Sequence, residues 1–219
     1  MAPNLPSLPR FVRASILTLA TIAVPLVLVG LARAPQAAKP ATAATPAAGA
    51  STYRIDDTHS MAIFRVQHMG AGAFWGMFND LDGTVTYTPD SSIALDVTID
   101  TGSVDSNNPK LDQHLKSPDF FNAKEFPAMT FKSTSAKSLG GGKFDVTGDL
   151  TIRGVTKSVT VPVACLGSGD MGMGTRAGFE AEFTINRADY GVSYGVEKGA
   201  VANSTRIIVA IEGVSTAKP

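Results

Sequence analysis

Apolar and polar residues alternate with a period of two through most of the chain after residue 52, which is the signature of strands with one dry face and one wet face. Ile93, Leu95, Val97 and Ile99 alternate with Ser92, Ala94, Asp96, Thr98 and Asp100. Phe144, Val146, Gly148, Leu150 and Ile152 alternate with Asp145, Thr147, Asp149, Thr151 and Arg153, and Ala177, Phe179, Ala181, Phe183 and Ile185 alternate with residues led by Arg176. Weaker alternation runs through Ala62 to Val66, Val85 to Tyr87, Met129 to Phe131, Val159 to Val163 and Ile207 to Ile211. The total is about eight strands, separated by turn signals such as Asp82-Gly83, Gly140-Gly141-Gly142 and Arg153-Gly154.

Crossover helices and continuous apolar runs, which parallel strands require, are missing from the sequence, so the sheet is expected to be antiparallel. One helix is predicted over Pro109 to Ser117, where proline suits the first turn and Leu111 with Leu115 forms an i, i+4 apolar pair. Closure of eight strands into a barrel removes exposed edges, and a barrel of that size is either filled by side chains or holds one small ligand.

The first fifty residues follow different rules. Arg10 and Arg13 precede an uncharged apolar run from Ile16 to Leu31, followed by Ala32-Arg33-Ala34. This layout predicts a signal peptide or membrane anchor over residues 1–33. A sixteen-residue run is short for a bilayer crossing, which favours cleavage, whereas Pro35 after the small residues hinders it. In either case the positive-inside bias sends the remainder of the chain to the far side of the membrane, with anchoring in that membrane if the segment is retained. Residues 34–51 are almost entirely Ala, Pro, Thr, Gln and Gly and predict a disordered, extended linker. The barrel domain is assigned to residues 52–214 and a tail to 215–219.

Net charge is zero with no basic run, which argues against nucleic acid as a partner. A single cysteine, Cys165, leaves the core to be held by packing. It is in phase with Val159, Val161 and Val163 and is expected to be a buried thiol. The histidines, His59, His68 and His114, are too dispersed to specify a metal site, and strand parity sends His59 and His68 to opposite faces. His114 is expected to tie the helix to the barrel through Asp105 or Asp112. No serine or cysteine has a nucleophile's setting, so no catalytic residue, metal ligand or cofactor is assigned.

Several stretches, read together, resemble the YceI-like family of periplasmic polyisoprenoid-binding proteins. They include Asp57-Thr58-His59-Ser60, Val66-Gln67-His68-Met69-Gly70, Gly76-Met77-Phe78, Ser103-Val104-Asp105, Asp112-Gln113-His114-Leu115-Lys116-Ser117-Pro118-Asp119-Phe120-Phe121, Val146 to Lys157 and Arg176 to Ala181. The resemblance implies a lipocalin-like barrel that encloses a long isoprenoid or other lipid chain without catalysis. Wall candidates are Phe64, Val66, Ile93, Leu95, Val97, Ile99, Phe131, Phe179 and Phe183, with His68 pointing inward at one end. A flexible lip is expected to contain Phe74, Trp75, Phe78, Leu115, Phe120 and Phe121. The alternatives are a packed barrel acting as a stress-linked or structural interaction domain, and a metal- or cofactor-dependent enzyme using His68 and His114. A homodimer, and membrane contact through the N-terminal segment, are both compatible with the sequence.

Overall fold

Three interruptions, at one level of the barrel, divide eight long strands into eleven in the computed structural model, which describes residues 49–170 and 172–217. The N-terminal hydrophobic segment and most of the linker lie outside the described residues.

In chain order the strands are β1 (Ser51–Ile55), β2 (Met61–His68), β3 (Gly72–Phe78), β4 (Leu81–Thr88), β5 (Ser92–Asp100) and β6 (Val104–Asp105). After helix α1 (Pro109–Lys116) come β7 (Ala128–Gly140), β8 (Lys143–Ile152), β9 (Val155–Asp170), β10 (Thr175–Asn186) and β11 (Val201–Ser215). All pairings are antiparallel, and β11 closes the ring by pairing with β10 on one edge and with β2 and then β1 on the other. Since β2 pairs with β3 where β1 pairs with β4, the segments β1–β2, β3–β4 and β5–β6 each act as one broken strand of an eight-strand up-and-down barrel.

Short polar side chains make the breaks. Asp56, in extended conformation, accepts a hydrogen bond from the Thr58 N–H at 3.2 Å and starts a single 3-10 turn over Asp57–His59. Asp100 accepts from the Gly102 N–H at 2.7 Å and starts a second turn over Thr101–Ser103. The Ser103 hydroxyl then accepts from the Asn79 and Asp80 N–H groups at 3.1 and 3.2 Å, which joins the β3–β4 break to the β5–β6 break.

Of the residues expected at the lip, Phe74, Trp75 and Phe78 lie on strand β3, paired with β2 from Ala62 opposite Phe78 to His68 opposite Gly72, while Leu115, Phe120 and Phe121 lie on α1 and just after it. The period of β3 was hidden because both faces are apolar, with Phe74 and Phe78 alternating with Trp75 and Met77. Gly76 completes the inward row: its missing side chain is replaced by the Phe64 ring from the opposing strand.

One end of the barrel carries the β2–β3 turn, α1 and the segment between β10 and β11; the other carries the β4–β5, β7–β8 and β9–β10 turns. Helix α1 matches its predicted place: the Asn108 side chain accepts from the Lys110 and Leu111 N–H groups at 3.1 and 3.2 Å, Pro109 opens the first turn, and Leu115 is buried. The core is a single cluster along the barrel interior, from Tyr53, Val85 and Phe144 to Leu115 and Tyr190.

Gly83 has φ +132°, and a Cβ there would collide with the backbone carbonyl of Asp96 on β5. Gly83→Ala is therefore expected to lower unfolding free energy by about 2 kcal/mol or more, from backbone strain plus a displaced ladder, as measured by denaturant unfolding.

Candidate functional site

Closing the ring turns every dry face inward, and side chains do not fill the resulting space. A cavity of about 660 Å3 runs through the interior, within the range of small-molecule sites. Fourteen of the sixteen residues singled out from the sequence border it: Phe64, Val66, His68, Phe74, Phe78, Leu95, Val97, Ile99, Leu115, Phe120, Phe121, Phe131, Phe179 and Phe183. Two stand apart. Ile93 is buried in the core away from the cavity, and Trp75 lies on the outer face of β3, 46% exposed.

The wall is formed by strand parity. Phe64 and Val66 on β2 face Leu95, Val97 and Ile99 on β5 and Phe179 on β10 around one interior. Phe64 contacts Phe78 and Phe121 at ring-centroid distances of 5.7 and 6.1 Å, so helix α1 and its following turn close the gap beyond the two-residue strand β6. Small inward residues, Ala62 and Ala181, leave the space that larger side chains would occupy.

Polar groups collect where the cavity opens. His68 is exposed on the final residue of β2, borders the cavity and has no hydrogen-bond partner for its ring among the described residues. His114 pairs with Asp119 at 3.0 Å, not with Asp105 or Asp112, and its ring meets Phe120 and Tyr194 edge-on at 5.0 and 5.1 Å. Asp112 instead accepts from the Ser106 N–H at 2.7 Å and from its hydroxyl, which ties the helix to β6. The Asp105 side chain accepts from the Asn107 N–H.

Arg187, Tyr190, Val192, Tyr194 and Arg153 were not legible as site residues. Arg187 is 7% exposed and borders the cavity. It donates to the carbonyls of Val192, Tyr194, Val201 and Ala202, each at 2.8 Å, and so folds the β10–β11 connection over the barrel end. Burial lowers its pKa below the ordinary guanidinium value, but the group remains charged at neutral pH. Arg153 donates to the carbonyls of Phe120 at 2.7 Å and Gly191 at 3.0 Å, linking that connection to the α1 side. An arginine whose partners are all backbone carbonyls leaves no motif in a sequence.

The only trio of metal-type ligands among the described residues is Asp56, His59 and Glu212, at the strand break and remote from the cavity. Arg176 sits between the two acids, donating to Asp56 at 2.6 Å and Glu212 at 2.5 Å, so a cation already occupies the position that a metal would need. His68 and His114 do not join the trio. Cys165 is half-buried, not fully buried, with its Sγ 3.9 Å from the Gly167 carbonyl. The neighbouring Tyr87 hydroxyl is pushed up to about 12, first by burial and then by its bond to Cys165.

Residues 53–213 match the family described as YceI-like domain. Protein YceI of Escherichia coli O157:H7 is 42% identical over 172 residues, covering 76% of this chain and 88% of that protein. The crystal structure of BcnA from Burkholderia cenocepacia is similar with a TM-score of 0.65 and 27% identity, covering 72% of this chain and 98% of that one. A polyisoprenoid binding domain from Saccharophagus degradans, implicated in plant cell wall breakdown, shares the fold at a TM-score of 0.58 and 16% identity, covering 74% of this chain and 98% of that one.

The Asp56 carboxyl is held at about 2, well below its ordinary 3.8, first by Arg176 and then by His59. Because the folded value is depressed, the stabilisation is complete above about pH 4 and is lost as pH falls towards 2. Melting temperature of the native protein should therefore fall more steeply from pH 4 to pH 2 than that of Asp56→Asn, as followed by circular dichroism.

Proposed function

This chain belongs to the YceI-like domain family, and we propose that it is an exported, non-catalytic carrier that encloses a long isoprenoid or similar apolar lipid chain in its barrel. The observation that carries the reading is the open interior: a continuous apolar cavity of about 660 Å3 in a barrel whose side chains could have filled it. A packed interaction domain has no use for that volume.

The energetics suit long chains. Each methylene removed from water contributes about 0.8 kcal/mol, or roughly 16 kcal/mol for twenty carbons. Association costs about 4 to 15 kcal/mol, so short chains leave readily and long ones stay. A polar head would sit at the open end near His68, His114 and Tyr194, where the wall ceases to be wholly apolar. Export is supported by the basic-then-apolar order of residues 10–31.

Organic extraction of the purified protein followed by mass spectrometry should recover a long-chain lipid in stoichiometric amount. No recovered lipid, together with no uptake of added polyprenol, would return the barrel to the interaction-domain reading. Ala181→Trp, which places an indole in the cavity from β10, is expected to weaken polyprenol uptake at least tenfold while circular dichroism stays unchanged. Undiminished uptake would show that the chain does not occupy this part of the interior.

A further inference from the structure

The outer face of the sheet β10–β11–β2–β3 is unlike the rest of the barrel exterior. Trp75, the chain's one tryptophan, is 46% exposed on β3 with the guanidinium carbons of Arg65 and Arg206 each 6.0 Å from its ring centroid. Across β11, β2 and β3 the next row on the same face is apolar, with Ile208 opposing Ile63 and Ile63 opposing Met77, and Glu182 stands at its β10 end. At the tip of the hairpin, one residue beyond β2, Met69 is 69% exposed.

Charge is also uneven across this face. Glu182 on β10 holds Arg206 through two bonds of 2.7 and 2.8 Å, whereas Arg65 has no carboxylate within salt-bridge range among the described residues. Next to Trp75 the face therefore presents one cation without a carboxylate partner, Arg65, flanked by branched and thioether side chains, while the exposed Glu180 on β10 lies two cross-strand rows away. That combination suits the boundary between lipid headgroups and acyl chains, where an indole is favoured and a cation is attracted to anionic phosphate. The hairpin's inner side chains, Phe64, Val66, His68 and Phe74, border the cavity, so one element forms both the wall of the opening and the exposed patch. Trp75 is three residues from the start of β3, roughly 10 Å below the tip at the rise of a strand.

We propose that the β2–β3 hairpin is a docking element for an anionic phospholipid surface, with Trp75 and Met69 inserting at the interface and Arg65 meeting lipid phosphate. Docking through this hairpin brings the open end of the cavity to the bilayer. It extends the carrier reading without depending on bound cargo, because Trp75 itself does not border the cavity.

The single tryptophan makes the test specific to the site. The full chain is mixed with vesicles of phosphatidylglycerol and phosphatidylcholine in equal parts, or of phosphatidylcholine alone, each with and without brominated phosphatidylcholine. Trp75 emission should shift to the blue and be quenched by the brominated lipid. The anionic vesicles should be preferred by about fivefold, as expected for one cation near a charged surface, and high salt should remove the preference. Arg65→Glu should abolish the preference and Met69→Ser should weaken binding, both with unchanged melting temperature. Vesicle binding through the N-terminal segment alone would leave Trp75 emission unmoved, which overturns the proposal. A blue shift that grows with protein concentration in the absence of vesicles would assign the face to a second copy of the chain and overturn it as well. A protein that takes up polyprenol while Trp75 emission stays fixed would overturn docking and leave the carrier reading standing.

Discussion

Backbone hydrogen bonding around a closed ring is the constraint on which the rest of this structure depends. A strand of fifteen residues, β11, is paired on both edges and completes the circuit, with β10 on one side and the broken pair β1–β2 on the other. Once the ring is closed, each alternating row must face either the solvent or the interior. An eight-strand ring has a limited girth, so the size of the inward residues and the way their rings pack decide whether the centre is filled. Here Ala62 and Ala181 stand among the aromatic residues of the inward rows, the rings of Phe64 and Phe131 lie over Gly76 and Gly148, and the centre stays open.

The ends of the barrel follow from what the ladders leave uncovered. Beyond the two residues of β6, β3 has no strand neighbour on its outer edge, and α1 with Phe120 and Phe121 occupies that side. The β9–β10 ladder stops at Ala181 opposite Val163, next to Pro162, which has no N–H to donate. There the connection from Arg187 to Ala200 folds over the end, held by a guanidinium that satisfies four carbonyls. A buried cation with that many acceptors is a firm structural staple, because removing it would strand several buried carbonyls at once.

The polar waist explains a stretch of sequence that no binding role accounts for. Asp56, His59, Ser60, Arg176 and Glu212 form one network across three neighbouring strands, where β1 gives way to β2. A strand that turns briefly into a 3-10 helix loses ladder bonds, and these side chains supply replacements. The matching breaks at Asn79-Asp80 and Thr101–Ser103 are joined through a single serine hydroxyl. Family resemblance along Asp57-Thr58-His59-Ser60 and Ser103-Val104-Asp105 therefore marks how the barrel bends, since none of these seven residues borders the cavity.

Period-two alternation by itself determined the antiparallel class and the set of inward residues, because in a strand the side chain's face follows from its parity alone, and Pro109 with the Leu111–Leu115 pair determined the helix. Parity also placed nine of the ten wall candidates, all but Ile93, on the cavity. It could not separate wall from exterior in Gly72–Phe78, where both faces are apolar and only pairing with β2 shows that Trp75 points outward. Nor could it choose between a filled and an open barrel, since that depends on how rings such as Phe64 and Phe131 fit over glycines on the neighbouring strands. Partners distant in sequence, Arg153 with Phe120, His114 with Tyr194 and Arg187 with the carbonyls up to Ala202, exist only once closure brings the strand ends to one rim. Local pattern is written in the order of residues, whereas contacts across the ring are fixed by its circumference.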